Sequence, residues 1–309
     1  MKVGYVVLYE DGELVISKKH TVLQKKIEKD YGEFDDRNVP WENDKKKIKQ
    51  VRILNQIKSN YMCSWFEDCY NLTTLIDFQN LDVSDCENFE FTFYGCKSLT
   101  DISSLKNWNV SNGMDFAYMF CQCKLLISIS ALSNWDVSKC EDFSSMFDRC
   151  SKLKEVYLST WDVSNGRDFS EMFSACQSLI DISSLKDWDV SNGIDFSFMF
   201  ENCTSLQDIS ALSNWNVVNG EDFECMFDHC VLLINIFVLE NWDMSNGEDF
   251  NWIFSDCINL KEIYLPDTLK CLNYLMFEGC DFNLKIHWKN KIYTYEDVFK
   301  YKIILDEGV

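Results

Sequence analysis

The chain has 309 residues, 47% of them hydrophobic, and a formal net charge of −21. The charge is uneven: residues 1–60 hold 13 basic and 10 acidic side chains, residues 61–284 hold 11 and 36, and residues 285–309 hold 5 and 4. So acidic an array repels phosphate backbones and anionic lipid, and no apolar run is long enough to span a bilayer, so neither nucleic-acid binding nor membrane insertion is expected.

In chain order, residues 3–18 read as a β-hairpin, two β-rich runs around Asp11-Gly12. The start has acidic residues early and no apolar stretch leading to a cleavage site, which does not read as a signal peptide. Residues 19–50 are polar and charged, and Lys45-Lys46-Lys47 reads as solvated surface. Ile48–Ile57 is expected to enter the first strand of a stack of coils. Residues 1–58 together form an N-terminal cap over the open edge of that stack.

From 59 to 284 the chain repeats. Trp recurs at 108, 135, 161, 188, 215 and 242, in steps of 26 or 27 residues. F-x-x-C recurs with Cys69, Cys96, Cys123, Cys150, Cys176, Cys203, Cys230, Cys257 and Cys280. A fixed period of this size means stacked coils, and overrides the two-domain prior from length. L-x-x-L-x-L segments such as Leu153–Leu158 predict one short strand per coil, paired in parallel with its neighbours. Asp115, Asp142, Asp168, Asp195, Asp222 and Asp249 each precede apolar residues at helical spacing, which predicts an N-cap on a helix of one or two turns. The Gly of V-S-N-G gives way to Cys86 and Cys140, so a left-handed backbone is not required there. The expected fold is an α/β repeat solenoid, with a parallel sheet on one face and short helices or irregular arcs opposite. Residues 285–309 read as a C-terminal cap: a hairpin about Lys289-Asn290, then a short helix from Tyr295-Glu296-Asp297.

The ladder cysteines face inward as small hydrophobes, so most of the fifteen thiols are expected free, which favours a reducing compartment. Cys225, His229 and Cys230 make C-x3-H-C, but Cys230 belongs to the ladder and no second ligand pair exists; no metal site is expected. The Asp columns raise calcium, yet the cap role accounts for them without it. No phosphate loop, nucleophile elbow or zinc-protease motif occurs, and no catalytic residue or cofactor is expected. The candidate site is the outward face of the strands. One column reads Asp101, Ser128, Glu155, Asp181, Asp208, Asn235, Glu262. The next includes Tyr157, Phe237 and Tyr264. An acidic strip beside aromatic anchors suits a protein or peptide partner of basic character.

The F-x-x-C-x-x-L-x-x-[IV] ladder with W-D-V-S-N between its units resembles the BspA-like leucine-rich repeat proteins, in their subgroup with W-D-[TV]-S repeats. The N-terminal stretch and the tail IHWKNKIYTYEDVFKY are similar to segments of that family. The resemblance implies a non-catalytic recognition scaffold, often displayed on a surface and used in adhesion. Two settings stay open: cytoplasmic, from the start of the chain and the free thiols, and cell-surface or secreted, from the family. An intracellular adaptor is the alternative function, and a thiol- or carboxylate-dependent enzyme the less favoured class.

Overall fold

Two antiparallel and two parallel pairings build the first sheet. β1 (Lys2–Tyr9) and β2 (Glu13–Ser17) form the hairpin, with Gly12 at φ +90° in the turn. β3 (Ile27–Asp35) adds to the other edge of β1, where the sequence alone suggests only a polar stretch. β4 (Gln50–Ile53) then pairs in parallel with β2, and β6 (Thr74–Ile76) with β4. A second small parallel pair joins β5 (Ile57–Lys58) to β7 (Leu81–Asp82). The hairpin sheet therefore runs straight into the first coils. The computed structural model describes residues 2–305. Lys45 departs from its expected solvated place: it is buried, with Nζ 2.7 Å from Glu42 and 3.8 Å from Glu67.

The coils stack through three inward columns. Phe66, Phe93, Phe120, Phe147, Phe173, Phe200, Phe227 and Phe254 are fully buried, and successive rings from Phe93 to Phe254 lie 5.4–5.9 Å apart and nearly parallel. Each ladder cysteine from Cys96 to Cys280 donates its thiol to the carbonyl of the Phe one coil back, at 3.1–3.3 Å. That bond explains why the column is Cys rather than Ala: a small side chain that also satisfies a buried acceptor. The Trp column works alike. Trp188 Nε1 donates to Leu158 O at 3.1 Å, Trp215 to Leu185 O at 3.0 Å and Trp242 to Leu212 O at 2.9 Å. The glycines before the D-F pairs are constrained by packing, not backbone sign. A Cβ on Gly193 would lie 2.4 Å from Phe196 Cζ. Where Cys140 replaces glycine, the Phe116–Phe143 separation widens to 6.5 Å.

The predicted N-capped helices are absent, and the reason is non-local. In Phe116–Cys123 alternate N–H groups take different partners. Phe116, Tyr118, Phe120 and Gln122 donate to Asp142, Ser144, Met146 and Asp148 of the next coil, at 2.7–3.0 Å. Met119, Cys121 and Cys123 donate three residues back within their own coil. Aiming every second N–H along the stack requires left-handed residues, Tyr118 at φ 57° and Gln122 at 61°, and the pattern recurs in each coil. An L-residue pays about 1–2 kcal/mol for that conformation, offset by the inter-coil bonds it permits. Gly95 and Gly279 fill the same place without strain, whereas Ala175 sits at φ 51°. Ala175→Gly is therefore expected to stabilise the protein by about 0.5–1 kcal/mol, read as a higher urea midpoint. A lower midpoint would contradict the strain account.

The strand column is also less continuous than predicted. Ser103–Leu105, Ser130–Leu132, Ser183–Leu185 and Ser210–Asn214 are 3-10 turns, not strands. Asp101, Asp181 and Asp208 accept the N–H two residues on at 2.7–2.8 Å, and Ser128 does so at 3.2 Å. Such local bonds compete with strand pairing. Strands persist toward the C-terminal end, where β8 (Asn235–Ile236) pairs in parallel with β9 (Glu262–Tyr264). β10 (Cys271–Asn273) comes next, then the hairpin of β11 (Lys285–Trp288) and β12 (Lys291–Thr294), with Lys289 and Asn290 both left-handed in its turn. Helix α1 (Tyr295–Tyr301) carries a capping box between Thr294 and Asp297. β13 (Ile303–Leu305) returns to β10. Residues 306–309 of the expected C-terminal cap lie outside the described residues.

Candidate functional site

The outward strand face divides into unlike parts. Asp101, Asp181 and Asp208 are exposed, but each has an oxygen engaged in its own turn. Asp101 and Asp208 engage both, the second with Ser103 Oγ and Ser210 Oγ. Glu155 forms a single bridge to Asp181, and its carboxylate accepts the Tyr157 hydroxyl. The structure does not bring Tyr157 to the other aromatics: three coils separate it from Phe237, roughly 14 Å at the usual strand spacing.

At the C-terminal end the same face gathers a cluster. Parallel pairing of β9 with β11 sets Tyr264 beside His287 and Glu262 beside Lys285. The Tyr264 and His287 rings stack at 3.9 Å and 6°. His287 Nε2 lies 2.7 Å from Glu262 Oε1, and Phe237, half-exposed, packs on the other side of Tyr264 at 5.1 Å. An open groove beside the stack is lined by Glu240, Asp267, Trp288 and Lys291. Trp288 is 3% exposed, and its Nε1 has no hydrogen-bond partner among the described residues. His287 was not foreseen. The signal lay in the shortened final step of 23 residues, which brings the tail's I-H-W run into register with Ile263-Tyr264.

The family described as Mycoplasma protein of unknown function, DUF285, matches residues 37–128, 125–235, 154–264 and 210–302. The chain belongs to this family. The match starts after β3 and runs through α1, so it takes in the whole repeat array, in keeping with the BspA-like leucine-rich-repeat resemblance of the F-x-x-C ladder. No curated protein matches the DUF285 chain. Among solved structures it is similar to a leucine-rich cell surface protein of Faecalibacterium prausnitzii A2-165, at 15% identity over 99% of this chain and 97% of that one, with a TM-score of 0.35. A leucine-rich repeat protein of Bacteroides ovatus ATCC 8483 gives 12% identity, 93% and 98% coverage and a TM-score of 0.28. One of Eubacterium ventriosum ATCC 27560 gives 15%, 89% and 92%, and 0.27.

Elsewhere in the DUF285 array the C-x3-H-C residues do not converge. Cys230 Sγ donates to Phe200 O, and His229 turns outward between Asp228, 2.9 Å from Nδ1, and Asp256, 3.4 Å from Nε2. These three residues could hold a cation, since each offers one ligand atom within 4.8 Å of the others. Burial disfavours charge on His229, but the Asp228 hydrogen bond and charge, with Asp256 behind, outweigh it and raise its pKa. A protonated imidazole there would itself place a positive charge between the two carboxylates. All fifteen cysteines are unpaired. Burial pushes the ladder thiols up, Cys280 to about 12 and Cys69 further, which withholds the thiolate that nucleophilic chemistry needs. Among the described residues no helix is long and apolar enough to cross a membrane.

Proposed function

We propose that this DUF285 chain is a non-catalytic scaffold that recognises a protein or peptide on the open face of its strand column, and that the partner is basic. The observation that carries this reading is the Phe237–Tyr264–His287 stack with Glu262 at its edge. It offers an aromatic anchor beside a carboxylate, on a surface whose parent array carries a large negative charge. Asp101, Glu155, Asp181 and Asp208 extend the field along the same face rather than forming its centre. Each histidine is engaged by a carboxylate: His20 by Asp30, His229 by Asp228, His287 by Glu262. Two settings fit the scaffold. Surface display and adhesion are suggested by the family resemblance, and an intracellular adaptor by the unpaired thiols.

The test is a displayed library of short Lys/Arg-rich peptides, with the tightest binder carried into titration. Phe237→Ala with Tyr264→Ala is expected to weaken it at least tenfold, about 1.4 kcal/mol, while the melting temperature moves little because Phe237 is half-exposed. Tyr157→Ala alone should leave that affinity unchanged. Equal binding by the double variant would remove the site.

A further inference from the structure

The six aspartates of the D-F pairs form one unbroken column. Bridges link Asp115 to Asp142, Asp142 to Asp168, Asp168 to Asp195, Asp195 to Asp222 and Asp222 to Asp249. Every member holds the same pose. Its Oδ1 accepts the N–H two residues on at 2.8–2.9 Å, from Ala117, Ser144, Ser170, Ser197, Glu224 and Asn251 in turn. Its backbone is pinned to the preceding coil, as Asp142 O accepts Phe116 N–H and Asp142 N–H reaches Met114 O, and its chain neighbours hold the next one, as Phe143 N–H donates to Asp168 O and Asp168 N–H to Glu141 O. The carboxylates cannot fan apart without breaking the stack.

The ends of the column show what joins one step to the next. Asn88 precedes Asp115 in the same register and pose, its Oδ1 accepting Glu90 N–H at 3.1 Å. Its Nδ2 donates to Asp115 Oδ2 at 3.0 Å. At the far end Asn273 takes the equivalent place after Asp249, because Trp252 N–H meets Leu275 O as Cys225 N–H meets Asn251 O. Asparagine is an aspartate with a donor in place of one oxygen. In each Asp–Asp step the shared register and pose put a carboxylate oxygen where Asn88 has its donor, and the charges are felt along the column, Asp142 by Asp115 and both Asp142 and Asp195 by Asp168. Two ionised oxygens there repel, and one proton between them restores the bond that Asn88 makes.

We propose that successive aspartates of this column share protons, which makes the solenoid a pH-sensitive stack that tightens in mildly acid solution and loosens as the column ionises. The groups facing the column add to the effect. Glu90 lies by Asp115, Glu171 by Asp168, and Glu224 by Asp222 and Asp249; Cys140 and Tyr118 face Asp142 and Cys225 faces Asp249. None of these brings positive charge. Burial first, then neighbouring carboxylates, raises Asp115 to about 6 and raises Asp168 and Asp222 above the ordinary range. A carboxyl group that binds its proton more tightly when folded contributes stability fully below its unfolded pKa, and loses it as pH rises through the folded value. The window for this column is therefore from about 4 up to about 6. Carboxylates held low act in the opposite sense and at lower pH: Asp44, chiefly by Lys29, and Asp281, chiefly by the Asn283 N–H, both at about 2.

Thermal melts of the full chain at about pH 5 and about pH 7.5 test the column against a triple variant, Asp142→Asn, Asp195→Asn and Asp249→Asn. Every remaining aspartate of the column then has an asparagine on each side. The parent is expected to melt at least roughly 3 °C higher at the lower pH. The triple variant should melt above the parent at the higher pH and keep less than about half of the pH difference. A parent whose melting temperature does not fall on raising the pH, or a triple variant that keeps the full difference, overturns the proposal. So does millimolar calcium or magnesium chloride that restores the parent at high pH to its low-pH value, because cations and not protons would then bridge the column. Should the triple variant not fold, ¹³C carboxyl titration of the parent decides: Asp115 titrating near 6 supports proton sharing, and titration near 4 overturns it.

Discussion

Phe173→Ala is expected to lower the unfolding free energy by roughly 3–5 kcal/mol, the range for deleting a buried aromatic ring. Phe173 is 0% exposed and stacks between Phe147 at 5.6 Å and Phe200 at 5.7 Å. Its neighbours cannot slide in to fill the gap. The Phe173 N–H is tied to Met199 O at 3.0 Å, the Phe147 N–H to Met172 O at 3.0 Å, and the Cys203 thiol to Phe173 O at 3.2 Å. A rigid wall keeps the cavity open, which places the cost toward the upper end of the range. Ile180→Ala, at a half-exposed position of the adjoining coil, should change stability by no more than about 0.5 kcal/mol. Urea unfolding monitored by circular dichroism measures both. Equal midpoints and slopes for Phe173→Ala and the parent would contradict the buried column.

How far the sequence carries the fold depends on whether an element's cause is local. The Phe and Cys columns were legible because burial needs only periodicity, and Cys69 through Cys280 are inward as the repeat implied. The turns at Asp11-Gly12 and Lys289-Asn290 were legible because Gly12 and Asn290 tolerate left-handed backbone. The arc after each D-F pair was not. Phe116, Met119 and Phe120 have helical spacing, yet the same spacing suits a chain that turns every four residues. Only the inter-coil bonds of Tyr118 and Gln122 decide between the two. The loss of strands at Ser103 and Ser183 was readable in principle, since Asp-x-Ser favours a side-chain bond to backbone over pairing. β3 was missed because Ile27–Asp35 alternates charge rather than apolar residues. Pairing with β1 and ion pairs such as Lys29 with Asp44 at 2.9 Å hold it.

The candidate site was half legible. Phe237, Tyr264 and Glu262, from adjacent columns of the outward face, do gather, but His287 belongs to the hairpin beyond them and joins only through the parallel pairing of β9 with β11. Tyr157 shared their column without sharing their place. Periodicity assigns a side chain to a face; it does not say how far along the face its partners lie.

The largest effect arises from the equivalence of the coils. Removing residues 162–188, one full period, joins Trp161 directly to Asp189 and keeps every W-D-V-S-N unit whole. The coil ending at Trp161 then meets one whose Trp, Phe and Cys columns are in register with its own, so no buried group loses its kind of partner. Removing 162–174 takes half a period and sets Ala175 where Asp162 belongs. Phe columns would then face turns, and buried carbonyls would lose the cysteine and tryptophan donors that satisfy them. The decisive measurement is urea unfolding of both deletions by circular dichroism, with small-angle scattering of whichever folds. The stacked-coil account predicts a cooperative transition for the whole-period deletion, with a maximum dimension shorter by about 5 Å, and no folded baseline for the half-period deletion. Two deletions that fold alike, or a whole-period deletion that does not fold, would contradict it.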